Sequence, residues 1–197
     1  LEKEMPLYGY IIDGYWKDVG NLNEYQNAQY DSLKGNVKMD VNFEVEKNII
    51  DPTAHISKTA ILQGNNVIGK NAKIGDNAKV INSVIGDHVE IGDGALISGS
   101  TLWKDVIVRK NAEINDDVIC NGAQIGDYVT IAENVFVAEY CHIGSKAHIN
   151  SNVKLWPNKK VESGATLTRS MIQEETWLRE LFTDARITGL SNINLNP

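Results

Sequence analysis

The chain has 197 residues, a formal net charge of -7 and a pI near 5.1. That acidic balance excludes nucleic acid as the main partner, because phosphate contacts need a basic surface, and no apolar run approaches the ~20 residues of a membrane-spanning helix. With no signal-peptide pattern at the start and only two cysteines, the composition predicts a cytoplasmic chain of one or two domains.

The sequence begins LEKEMPLYGY, without an initiator methionine, and ends SNINLNP. Both ends read as cuts in a longer protein. Residues 7–13, LYGYIID, alternate loosely and predict a strand. GYWKDVGN follows at residues 14–21, and LNEYQNAQYDSL predicts a helix over 22–33. Asn21 is a good N-cap, with Glu24 three residues on to complete a capping box. Leu22, Tyr25, Ala28 or Gln29, and Leu33 form an apolar stripe, and Gly35 suits the position just past the helix. One strand and one helix cannot enclose a core. They must pack on the rest of the chain, on a partner or on a domain that lies elsewhere.

GYWKDVGNLNEYQNAQYDSL resembles the closing segment of the nucleotidyltransferase domain of mannose-1-phosphate guanylyltransferases and related nucleotide-sugar pyrophosphorylases. The resemblance implies that residues 1–35 are the end of such a domain and that the Trp-x-Asp-x-Gly carboxylate, Asp18, coordinates Mg²⁺ in the intact protein. The implied reaction joins a sugar 1-phosphate to a nucleoside triphosphate with loss of pyrophosphate. Two anions must meet, and a hard cation held by oxygen ligands screens them. The family's Gly-rich phosphate loop and its other metal carboxylate are not in this sequence. The expectation is therefore that this chain alone has no transferase activity, holds no catalytic residue and binds no cofactor.

Residues 36–49 are polar and strand-like and predict a connector. From there the chain repeats every six residues. Large apolar residues stand at Ile50, Ile56, Leu62, Ile68, Ile74 and Val80, then at Ile85, Ile91, Ile97 and Trp103. They resume at Val108, Ile114 and Cys120, and then run from Ile125 through Ile131, Val137, Ile143, Ile149, Leu155, Val161 and Leu167 to Ile172. Small residues such as Ala54, Ala72, Ala95 and Ala147 stand two places earlier, and Val89, Val118 and Val129 are read into the same column. Glycines such as Gly69, Gly75 and Gly144 follow the large residues. A period of six fits neither an α-helix nor an alternating strand, and hexapeptides mark a parallel β-helix. Each hexad is one short strand and a corner, three close a coil, and coils stack at ~4.8 Å. About seven coils follow, in a prism of roughly 33 Å over residues 50–172. The charged outward positions predict that most faces are solvated.

This hexad resembles the left-handed β-helix repeat, and the left hand comes from that resemblance. Such prisms also occur in acyltransferases and carbonic anhydrase-like proteins, which use histidines at the prism edge. Here His142 and His148 are predicted to point outward on adjacent faces. His88 is predicted on the face of His142 but three coils away, too far for one zinc ion. His55 stands beside the first coil. Cys120 and Cys141 are read as inward residues on different faces, more than one coil apart, and so unpaired.

Residues 173–197 break the hexad. Glu174–Leu181 predicts a short helix, and LFTDARITGLSNINLNP resembles the approach to a phosphohexomutase domain, with Thr183 where that family has Gly. The resemblances together imply a fused guanylyltransferase, β-helix and mutase-like protein. Three functions follow as expectations. The first is the assembly and linker portion of a nucleotide-sugar pyrophosphorylase making GDP-mannose, a homo-oligomer through its β-helix. The second is a hexapeptide-repeat acyltransferase. The third is a non-catalytic regulatory subunit of the translation-initiation-factor type.

Overall fold

A computed structural model describes residues 8–37 and 48–172, together with the backbone of 182–183 and 186–187. Most of the predicted connector and the predicted helix at Glu174–Leu181 lie outside the described residues. Phe182–Thr183 and Arg186–Ile187 form a short antiparallel pair.

Residues 49–167 build the predicted parallel β-helix as three sheets of seven parallel strands each. Face A runs from Ile49–Ile50 to Lys154–Leu155, face B from His55–Ile56 to Lys160–Val161, and face C from Ile61–Gln63 to Thr166–Leu167. Each strand pairs with the strand one coil above and one below. The interior is a column of Ile, Leu and Val from three sides, with Ile97, Ile114, Ile131 and Ile149 sealed on face C. Alanine, with valine at positions such as Val89, Val106 and Val129, lines the corners, where a long side chain does not fit. Ile50 is partly open because its coil is terminal and has one neighbour instead of two.

Two inward assignments made from the sequence slip by one residue. Leu102, not Trp103, and Ile119, not Cys120, point inward in line with Ile85. The steps Val80 to Ile85, Ile97 to Leu102 and Ile114 to Ile119 are the ones shortened to five residues, and all three turn from face C to face A. Hydrophobicity alone could not choose between Leu102 and Trp103. Size decides, because a triangular interior lined by Ile has no room for indole. Ile172 is exposed, and Met171 takes the bridge to Leu155. Val118 lies on the outer side of face A in register with Thr101, not in the small inward column, whereas Val89 and Val129 do face inward.

The slip also misplaced Cys120, whereas Cys141 does take a small inward position. Cys120 opens the corner from face A to face B, and Cys141 closes the same corner one coil on. Both are buried free thiols, as expected of small core residues. Burial pushes the Cys120 thiol up to about 12, so it is inert as a nucleophile.

The helix forms where predicted. Helix α1 spans Leu22–Leu33, and the Asn21 side chain accepts the Glu24 N–H at 2.9 Å. Its end is a Schellman motif: Gly35 N–H bonds Ser32 O, Asn36 N–H bonds Asp31 O, and Gly35 carries φ +76. The strand predicted at residues 7–13 does not form over the described residues 8–13. A strand needs a partner, and none is supplied to this segment among the described residues.

Candidate functional site

The site begins with the outward residues of face A. Face B presents His55, Lys73, Glu90, Gln124, His142 and Lys160, with Ile107 as its one apolar outward residue. Face A instead presents Ile49, Val67, Val84, Thr101, Val118 and Phe136. Apart from Thr101 and, in the last coil, Lys154, this face is apolar on both sides, the exception to the expectation that most faces are solvated, and α1 lies across it. Thr101 and Val118 are buried there, and so is Leu33 of the helix. Tyr25 meets Trp103 edge to face, with ring centroids 6.3 Å apart, and the indole N–H donates to the Tyr25 hydroxyl at 3.2 Å. The sequence carried the signal. Val67-Ile68, Val84-Ile85, Val118-Ile119 and Phe136-Val137 are doubled apolar pairs on successive coils, interrupted once by Thr101-Leu102.

The corner from face C to face A is built differently from the other two. At many six-residue corners an alanine N–H turns back to the carbonyl three places earlier, as Ala95 does to Gly92 at 3.2 Å. The five-residue corners lack that bond, and a column of buried polar side chains replaces it. Asn66 Oδ1 accepts the Ser83 N–H, and Ser83 Oγ accepts the Ser100 N–H. Ser100 Oγ accepts the Asp117 N–H, and Asp117 Oδ1 accepts the Val135 N–H at 2.7 Å. Each side chain thus satisfies the backbone of the next coil, as buried N–H groups require. Burial is the main cause that pushes the Asp117 carboxyl up to about 8, reinforced by Asp116 and Glu133 and opposed by the N–H groups of Val135 and Asn115.

Helix α1 is fastened at this same corner. The Tyr30 hydroxyl bonds the Gly99 carbonyl at 2.9 Å and the Asp116 carboxylate, and burial followed by Asp116 raises its pKa. Asn65 Nδ2 donates to the Leu33 carbonyl. Gly99 holds φ +57, and a Cβ there would strike the Tyr30 hydroxyl and Asp116.

The outer side of α1 holds the N-terminal segment. Tyr15 Oη and Lys17 Nζ both reach Asp31 Oδ2, at 2.8 and 3.3 Å. The Tyr15 hydroxyl, with Lys17 behind it, holds the Asp31 carboxyl below the usual range. Beyond these ties, Tyr8, Tyr10, Ile11, Ile12 and Trp16 stand exposed. Asp18 is exposed in the same run. Among the described residues no group of three or more His, Cys, Asp or Glu is arranged to hold a metal. One exposed carboxylate cannot fill the octahedral shell of Mg²⁺, so the described residues do not make up the site that the resemblance implies.

The histidines do not converge either. His142 and His148 point outward on faces B and C, as predicted. His88 sits in the corner between faces A and B, with φ +57, and pairs with Asp105 at 3.2 Å. His55 is the residue that shares face B with His142, five strand spacings or ~24 Å away. A cavity of about 1080 Å³ runs along face B between them, bridged by the Lys73–Glu90 ion pair.

A family model for the LbH domain of EIF2B subunit epsilon matches residues 46–149. The chain belongs to this family. LbH denotes the left-handed β-helix, so the prism has the hand implied by its hexads. The LbH chain is also homologous to sugar nucleotidyltransferases. It is 31% identical over 155 residues to the glucose-1-phosphate adenylyltransferase of Desulfitobacterium hafniense, covering 76% of this chain and 35% of that protein. It is 24% identical over 166 residues to the probable mannose-1-phosphate guanylyltransferase 3 of Oryza sativa subsp. japonica, covering 83% of this chain and 42% of that protein. The chain thus spans about a third of the first relative's length and two fifths of the second's. Among solved structures, a hexapeptide transferase family protein from Anaplasma phagocytophilum matches at TM-score 0.40 and 22% identity, over 60% of this chain and 72% of that chain. That likeness is too loose to carry an argument.

Proposed function

We propose that this LbH chain is the assembly and docking portion of a nucleotide-sugar pyrophosphorylase. In this reading residues 1–35 close a nucleotidyltransferase domain, residues 36–49 connect it, residues 50–172 are the scaffold, and residues 173–197 lead towards a mutase-like domain. The carrying observation is the seat of α1. One side of the helix is fixed on face A, and the other holds an exposed apolar segment that needs a sheet to join. The helix is therefore a bracket between the prism and a domain beside it. The prism assembles with copies of itself in the cytoplasm.

The reaction of the whole protein is sugar 1-phosphate plus nucleoside triphosphate giving nucleotide sugar and pyrophosphate. Mg²⁺ would be held in part by Asp18, and mannose with guanosine is the substrate pair we favour. The relatives include both adenylyl- and guanylyltransferases, so the pair is a matter for assay. The test joins the upstream portion of the Desulfitobacterium relative to this chain ahead of Tyr8. The chain alone is expected to release no pyrophosphate from hexose 1-phosphate, nucleoside triphosphate and Mg²⁺, and the joined protein is expected to release it. Turnover by the chain alone overturns the reading. A folded but inactive joined protein favours the regulatory-subunit alternative, to which the EIF2B family match lends support.

A further inference from the structure

A cleft of about 370 Å³ lies between the first turns of α1 and the corner from face C to face A. Its walls are Asn23, Gln26, Asn27 and Tyr30 from the helix and Asp116, Glu133 and Asn134 from two successive coils. Every one of these side chains can donate or accept a hydrogen bond, and none is basic. Gln26 is nine-tenths buried on the helix side of the cleft, and among the described residues its Nε2 has no hydrogen-bond partner. A buried amide donor left unpaired is costly, and on an apolar seat a leucine would serve packing better.

The chemistry of the walls selects the occupant. Asp116 and Glu133 repel phosphates and other anions, and among the described residues no Lys, Arg or His lines the cleft to offset them. A metal ion or an ammonium group would suit the carboxylates but offers no acceptor to Gln26 Nε2. A hydroxyl does both, donating to a carboxylate and accepting from an amide. We propose that this cleft is a binding site for a neutral polyhydroxylated ligand, a free monosaccharide or alditol. Its hydroxyls donate to Glu133 and to the Asp116 oxygen not bonded by Tyr30, and one accepts from the Gln26 amide as that group turns to the cleft mouth. The amides of Asn23, Asn27 and Asn134 complete the ring of partners. Because the floor belongs to the corner and the roof to α1, the ligand clamps the helix to the prism.

The test is a titration of the full chain with D-glucose, sorbitol and D-glucose 6-phosphate, followed through the side-chain amide signals in ¹H–¹⁵N spectra. The expected result is a saturable shift of the Gln26 amide with glucose or sorbitol, and at least tenfold weaker binding of the phosphate. Glu133→Gln and Asn27→Ala, both at exposed positions that leave the fold intact, weaken binding about tenfold each, the worth of one hydrogen bond. Gln26→Leu abolishes it while α1 stays seated. Shifts that grow linearly without saturating overturn the proposal, as does equal or tighter binding of the phosphorylated sugar. So does wild-type affinity in Glu133→Gln.

Discussion

Two serines and an aspartate set the shortened corners, and their energetics are testable one at a time. Ser100 occupies a small inward position of the kind filled elsewhere by alanine. Ser100→Ala nevertheless removes the acceptor for the buried Asp117 N–H, and it is expected to cost about 1–3 kcal/mol in urea unfolding. Asp117 adds a pH dependence. Its carboxyl titrates near 8 in the fold and near ~3.9 in an unfolded chain. The folded state therefore holds the proton longer, and stability is fully present below about pH 4 and declines as pH rises towards 8. The slope is at most ~1.4 kcal/mol per pH unit. Asp117→Asn keeps the acceptor for Val135, loses the bond to Asn115 at a cost of about 1 kcal/mol, and is expected to flatten the urea midpoint between pH 5 and 8. This polar column was not legible in the sequence. Ser83 falls in the small inward column of the hexad, but taking Trp103 and Cys120 as the large inward residues moves that column off Ser100 and Asp117, which are the buried ones.

At the scale of the element, α1 was legible and its seat was not. Caps are local, so Asn21, Glu24 and Gly35 announced both ends of the helix within a few residues. The seat depends on which side of each face A strand points outward, and a slip of one residue exchanges the two sides. Val118 was thereby read as core of the prism when it is the floor under the helix. The fastening predicts two phenotypes. Tyr30→Phe loses the bonds to Gly99 and Asp116 and is expected to lower the opening free energy of α1 by about 1–2 kcal/mol in hydrogen exchange. The amides of faces B and C stay unchanged. Gly99→Ala both strains a residue at φ +57 and drives a methyl group into the Tyr30 hydroxyl. It is expected to release α1 to a larger extent than Tyr30→Phe, read as loss of the Trp103 environment in fluorescence.

For the whole molecule the hexad was sufficient. Architecture and coil count follow from one period, because each coil satisfies only its neighbours. The same dependence makes the core unforgiving. Ile131 is sealed on face C and Ile91 nearly so on face B, and an aspartate at either site buries an unpaired carboxylate at several kcal/mol. Ile91→Asp and Ile131→Asp are expected to lose cooperative unfolding, and a soluble, cooperative variant would refute the inward assignment. The organisation of the molecule is then a rigid prism with one apolar outer face and a bracket helix laid along it. Hydrogen exchange on the chain carrying Val118→Asp tests that picture most directly. The account predicts wild-type α1 amides protected like those of the central coils, and in the variant a helix exchanging freely on a prism that keeps its protection. Wild-type α1 amides exchanging at the rate of an unstructured peptide, or a Val118→Asp variant whose helix stays protected, would contradict it.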